Sequence, residues 1–235
     1  MKPLALVFLT VAFMAVGGGK VMADSNRGLP SPNVFISSTV LPAGLKRVLV
    51  LPLAPGRQDA DLSDGCEALD AVVQAELIKA GRFEVVAAAP ETVSGCTGSP
   101  TWTGEEVLPA NFFEGLKNIY GCDGVLFCEL TECRSVAPLA IGWRFKLVDA
   151  NTGKILWAAD EVFDAGNLSV AKDAERFQKS RQPRQGIFFS VYTFLAWCIH
   201  VPTRSALDDQ WNILHSTRVF GEYSADKLLE TLPKR

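Results

Sequence analysis

The chain has 235 residues, of which 48% are hydrophobic and 21% charged, and its formal net charge is -3. That length suits one domain, or one domain with an appendage, and it can bury a core without covalent staples. A mildly acidic chain without a Lys/Arg cluster argues against a nucleic-acid partner.

Residues 1–23 do not read as fold. Lys2 gives a basic start, residues 4–16 are an apolar run too short to span a bilayer, and Val21-Met22-Ala23 puts small or apolar residues where a signal peptidase reads. The expectation is a cleaved secretory signal at 1–23. The mature chain then starts at Asp24 and, without Lys2 and Lys20, carries a net charge of -5. A bacterial lipoprotein would need a Cys just after the apolar run; Gly17, Gly18 and Gly19 stand there instead.

Residues 24–44, with Pro30, Pro32 and Pro42, read as an extended lead-in. "KRVLVLPLAP" (46–55) is a continuous apolar run of strand length, as a central buried strand would be. From Leu62 onward, Cys66, Leu69, Val72, Val73 and Leu77 recur at spacings of three and four, which makes an amphipathic helix packed on a sheet and stopped at Gly81. "RFEVVAA" is a second short strand. The Gly, Pro, Ser and Thr of "PETVSGCTGSPTWTGEEVLP" predict loop. Pro109 then opens a second helix running to Tyr120, with Phe112, Phe113, Leu116, Ile119 and Tyr120 as its buried side.

"GVLFCELTECRS" is the third strand. In "WRFKLVDANTGKILWAADEVFD" (143–164), Trp143, Phe145 and Leu147 alternate with Arg144 and Lys146, and Asp149-Ala150-Asn151-Thr152-Gly153 supplies a tight turn before the chain returns. The fold class is therefore α/β, a mixed β-sheet in β-α-β-α-β-β-β order covered by helices, with a helical C-terminal extension. After Asp164 the chain turns polar, as a solvated helix or a linker would. Residues 186–201, "GIFFSVYTFLAWCIHV", are strongly apolar but short of a span; they read as a buried helix, with an exposed partner surface as the alternative. "EYSADKLLETL" reads as a short terminal helix. No internal repeat or low-complexity tract is visible.

The side chains offer little chemistry. His200 and His215 have no acid beside them in a recognisable motif, and GxSxG, GxGxxG and a Lys-Ser/Thr phosphate loop are absent. Cys122, Cys128 and Cys133 are spaced too loosely for a zinc pair, and there is no CxxC. Asp160, Glu161 and Asp164 cluster on one strand; paired carboxylates can cut glycosides, although acids at a strand end are more often simply solvated. All six cysteines (66, 96, 122, 128, 133 and 198) follow the signal, and six allow 15 pairings. Cys66 on a helix and Cys96 in a Gly/Ser/Thr-rich loop form the expected disulfide, with core packing as the alternative reading of each thiol.

Four stretches together carry a family resemblance: "RVLVLPLAP", "ALDAVVQAELIKAGRFEVV", "YGCDGVLFCELTE" and "FKLVDANTGKILWAADEVF". In this order they resemble the exported bacterial envelope proteins with a CsgG-like or LpoB-like domain, related in fold to the amino-terminal domain of TolB. The resemblance covers residues 46–164. It implies a non-enzymatic interaction protein with no catalytic, cofactor-binding or metal-binding residues and no cofactor. The chain departs from the family in lacking a lipid-bearing Cys and long alternating strands for a membrane barrel. The expected organisation is signal 1–23, lead-in 24–44, α/β domain 45–165 and helical extension 166–235. The expected partners are other envelope proteins, with membrane association only through a partner and homo-oligomerisation left open. The expected location is periplasmic or secreted. The rivals are a subunit of an oligomeric secretion assembly and an exported hydrolase using the acids near Asp160.

Overall fold

The computed structural model describes residues 33–181 and 212–235. In chain order the elements are β1 (Asn33–Ile36), β2 (Arg47–Val50), β3 (Ala54–Pro55), α1 (Ala60–Ala80), β4 (Glu84–Ala87), α2 (Pro90–Thr97), α3 (Phe112–Tyr120), β5 (Gly124–Arg134), β6 (Ala140–Asp149), β7 (Ile155–Asp164), α4 (Leu168–Arg181) and α5 (Thr217–Leu229). The strands form one open mixed sheet in the order β1-β7-β6-β5-β2-β4, with β3 paired to β5. β2 runs parallel to β4 and β5, whereas β5, β6, β7 and β1 are antiparallel in turn.

The run expected as one strand over 46–55 is two. Pro52 has no N–H to give a ladder, so pairing stops after Val50 and resumes at Ala54. The freed Leu53 N–H donates to Asp70 Oδ1 of α1 at 2.9 Å, which ties the gap to the helix. α1 itself follows the expected stripe: Leu62, Cys66, Leu69, Val72, Val73 and Leu77 are all buried. Asp59 caps its start and Gly81, at φ 62°, its end.

Three readings need correction. The lead-in is not simply extended, because Asn33–Ile36 pair with Asp160–Trp157 as an edge strand. The stretch expected as loop contains α2, whose Gly and Ser hide a helix that tertiary packing holds: Val93 is fully buried, and Trp102 Nε1 donates to Thr97 Oγ1 at 2.8 Å. α3 starts at Phe112, not at Pro109, and Ile119 is exposed, so only Phe112 and Leu116 are its fully buried contacts.

Strand alternation gives the sheet two apolar faces. On the first, Val48, Val50, Leu126, Cys128, Leu130, Trp143, Phe145, Leu147 and Trp157 pack under α1, α4 and α5. On the second, Leu49, Leu51, Val125 and Phe127 pack under α2 and α3. The C-terminal helix α5 completes the first core with Phe220, Tyr223, Ala225, Leu228 and Leu229. Trp143 Nε1 donates to the buried Ser224 Oγ at 2.8 Å, and Trp157 Nε1 to Thr231 Oγ1 at 3.1 Å. At the far end of α4, Arg181 donates to Glu76 of α1 at 2.9 Å and Glu222 of α5 at 3.0 Å. Residues 186–201 and His200 lie outside the described residues.

Two substitutions test this packing. The β6–β7 turn is set by Asp149, whose Oδ1 accepts from the Asn151 and Thr152 N–H groups, and by Gly153 at φ 68°. Gly153→Val forces a β-branched residue into that left-handed conformation and should cost about 1–3 kcal/mol in denaturant unfolding. Gly221 lets α5 approach α1 so closely that an added Cβ would stand 2.6 Å from Leu69 Cδ2. Gly221→Ala should lower stability by about 1–3 kcal/mol through overpacking, read by the same unfolding measurement.

Candidate functional site

The acids of β7 do not converge. The pleat sends Asp160 and Asp164 to one face and Glu161 to the other. Asp160 Oδ2 accepts from Arg144 Nε at 2.7 Å. Asp164 Oδ1 accepts from the Gly166 N–H and from Arg134 Nη2, both at 2.7 Å, and these bonds hold its carboxyl below the usual range. Burial pushes the Glu161 carboxyl up. With Asp160 and Asp164 each held by an arginine and Glu161 on the opposite face, the hydrolase reading loses the carboxylate pair that suggested it.

Asp160 belongs instead to a row of charges across three strands. Register places Glu129 of β5 opposite Arg144 of β6, and Arg144 opposite Asp160 of β7. Arg144 Nη1 lies 3.0 Å from Glu129 Oε1 and 3.2 Å from Glu105 Oε1, the latter brought in by the loop between α2 and α3. Glu129 is only 2% exposed. Burial pushes its carboxyl up, and the Arg144 guanidinium pulls against that shift. Its Oε2 and the neighbouring Thr131 Oγ1 are buried without a hydrogen-bond partner among the described residues. Such groups are costly to keep, so the row is an expensive feature on a sheet that could have carried apolar residues here.

Among the described residues, the cover over this face stops at the charges. α2 and α3 lie over β2 and β5. Their connecting loop reaches Lys146, whose ammonium donates to the Gly104 carbonyl, and Arg144 through Glu105. Beyond these, Val162 of β7 is 46% exposed and Phe35 of β1 54% exposed on the same face. Only Asp160 of this group stood out in the sequence. Glu129 hid inside an apolar run, and Arg144 passed for an ordinary outward residue of a half-buried strand. The usable signal was a charge at a position where "VLFCEL" otherwise reads as core.

A second concavity, of about 250 Å³, lies between the start of α1 and the end of β5, lined by Arg57, Asp59, Asp61, Glu132, Cys133 and Arg134 among others. Its charges are largely engaged: Arg57 pairs with Asp59 at 3.2 Å, and Arg134 with Asp164 at 2.7 Å. Burial pushes the Cys133 thiol up, the opposite of what an activated nucleophile needs. His215 is exposed in the turn before α5. Among the described residues, no group of three or more His, Cys, Asp or Glu is placed to hold a metal ion.

Cys66 and Cys96, the expected disulfide pair, are both free thiols in this structure. Cys66 faces the first core from α1, Cys96 packs against the second from α2, and the sheet stands between them. Cys66 instead neighbours Cys133, which touches α1 one residue away at Gly65.

The described fold is thus a mixed α/β sheet with helices on both faces and a charged, partly uncovered strand face. No protein-family model matches the chain, and no curated protein matches it in sequence. Among solved structures it is similar to the dodecamer of a leucine-to-methionine variant of PelC from Paraburkholderia phytofirmans, at 16% identity and TM-score 0.39 over 60% of this chain and 91% of that one. It is also similar to lipoprotein GNA1162 from Neisseria meningitidis, at 22% identity and TM-score 0.37 over 67% of this chain and 99% of that one. A third is the C-terminal domain of LpoB from Escherichia coli, at 18% identity and TM-score 0.32 over 50% of this chain and 82% of that one. At such scores, function has to be argued from the chain's own residues. Among the described residues no helix is long and apolar enough to cross a membrane.

Arg144→Met tests the charged row. It leaves the buried Glu129 carboxylate uncompensated and should destabilise by about 2–4 kcal/mol near neutral pH. Glu129 is already raised in the folded state, so its protonated form favours folding at low pH and that contribution fades as pH rises through the folded value. Removing Arg144 raises it further. The gap between variant and wild type should therefore narrow when unfolding is repeated near about pH 4.5, where carboxyls gain protons.

Proposed function

We propose that this chain is an exported, non-catalytic accessory or assembly factor of a bacterial cell envelope, acting through protein–protein contacts, and that its partner docks on the face of β6, β7 and β1 that is left open among the described residues. The observation that carries the reading is that face: Glu129, Arg144 and Asp160 in one cross-strand row, beside exposed Phe35 and Val162 where the helical cover ends. A mixed patch of aromatic, aliphatic and paired charged groups is what a protein partner recognises, the apolar groups giving affinity and the charges register.

The signal-like residues 1–23 support a place for the mature chain in the periplasm or outside the cell. The sequence resemblance to CsgG-like and LpoB-like envelope proteins supports two settings for such a factor: activation of cell-wall synthesis, or a secretion or surface-organelle system. Catalysis has no support among the described side chains, where no nucleophile stands with a base and an orienting group.

The test is envelope crosslinking with wild-type protein and a Phe35→Asp/Val162→Asp double variant. Both positions are exposed, so the melting temperature should change little. The proposal expects the wild-type crosslinked product and the biological activity to disappear together in the variant. Unchanged crosslinking and activity would overturn it, as would turnover of a cell-wall glycan or peptide by the purified protein.

A further inference from the structure

We infer that Cys66 of α1 and Cys133 of β5 are an oxidisable pair, and that a disulfide between them locks the start of α1 onto the end of β5. The geometry begins at Gly65. A Cβ built there would lie 2.7 Å from Cys133 Sγ and 3.1 Å from Cys133 Cβ, so the thiol rests directly on the helix beside Cys66. The absence of a side chain at Gly65 is what admits it. Both thiols face the same core, Cys66 as a buried member and Cys133 packed against it.

The two thiols differ in access. Cys133 is half-buried and lines the cleft with Arg57, Asp59, Asp61, Glu132 and Arg134, so a reagent can reach it. Cys66 is buried. Burial pushes both thiols up, so access and not thiol activation decides which reacts first, and of the two it is Cys133 that lines the cleft. That assigns an order. The Cys133 thiolate attacks one sulfur of a disulfide oxidant, such as an oxidised thiol–disulfide oxidoreductase or oxidised glutathione, and the oxidant's other sulfur leaves as a thiolate. The Cys66 thiolate then attacks the Cys133 sulfur of the mixed disulfide, forming the Cys66–Cys133 bond and expelling the second thiolate. The protein loses two electrons and two protons, and the oxidant is reduced to two thiols.

The bond closes a long loop that includes α1, β4, α2, α3 and most of β5. Closing it constrains the unfolded chain and should raise the melting temperature. Cys128 also belongs to that core, and it is fully enclosed.

The experiment incubates the full purified chain with oxidised glutathione, blocks remaining thiols by alkylation, and maps disulfides by peptide mass spectrometry alongside melting curves. The expected result is a Cys66–Cys133 linked peptide and a higher melting temperature that dithiothreitol reverses. Cys133→Ser, at the half-buried and more tolerant position, should abolish both effects, and Cys96→Ser should abolish neither. A link from Cys66 or Cys133 to any other cysteine would overturn the inference, as would alkylation of both thiols after oxidation.

Discussion

The aromatic layer that β6 and β7 present to their helices is the constraint on which the rest depends. Trp143, Phe145 and Trp157 are wholly buried, and their rings contact one another at 5.6 and 6.5 Å. Side chains of this size need a cover that is both apolar and able to receive two indole N–H groups. α1 supplies the apolar stripe. α5 and the turn after it supply the acceptors, Ser224 and Thr231. The end of the chain is therefore part of the domain's core, and Gly221 marks where it presses against α1. Ion pairs from Arg181 to Glu76 and Glu222 fasten α4 to the same corner.

Among the described residues, the other face is closed only in part. α2 and α3 bury the β2–β5 half with Phe112 stacked on Phe127 at 5.9 Å, but they are short, and their loop stops at Arg144 and Lys146. Where it stops, the strands switch from apolar side chains to the Glu129–Arg144–Asp160 row. A buried ion pair of this kind adds little net stability over an apolar replacement. On the proposed reading, it places fixed charges at the rim of a face left open among the described residues, where they would set register for a partner.

Long periodic segments were legible in the sequence because their burial follows a local rule. α1, β5 and β7 came out at nearly the observed limits, while β6 begins at Ala140, three residues before the expected Trp143; spacing and the Asp149–Gly153 turn are written in adjacent residues. α2 was not legible: its Gly95 and its Ser and Thr residues favour loop, and only Val93 and Trp102 packing make it a helix. β1 is four residues in a Pro-containing stretch, and its partner lies more than a hundred residues away. The charged row and the Cys66–Cys133 neighbourhood failed for the same reason. Each depends on register between distant strands or on a helix seated on a sheet, which no local pattern records. Cys96 misled because its loop-like surroundings concealed that it faces the opposite core.

The central claim is that the uncovered face around Arg144 meets a partner in the envelope. Carboxylate footprinting tests it most directly, by comparing labelling of individual acids in the purified chain and in intact envelopes. Glu105 and Glu84 suit the comparison, with side chains 68% and 60% exposed on the charged face and on the far β4 edge. The account predicts that Glu105 and Asp160 are protected in the envelope while Glu84 labels as it does in the purified protein. Protection of Glu84 with Glu105 and Asp160 labelled as in the purified protein would contradict it.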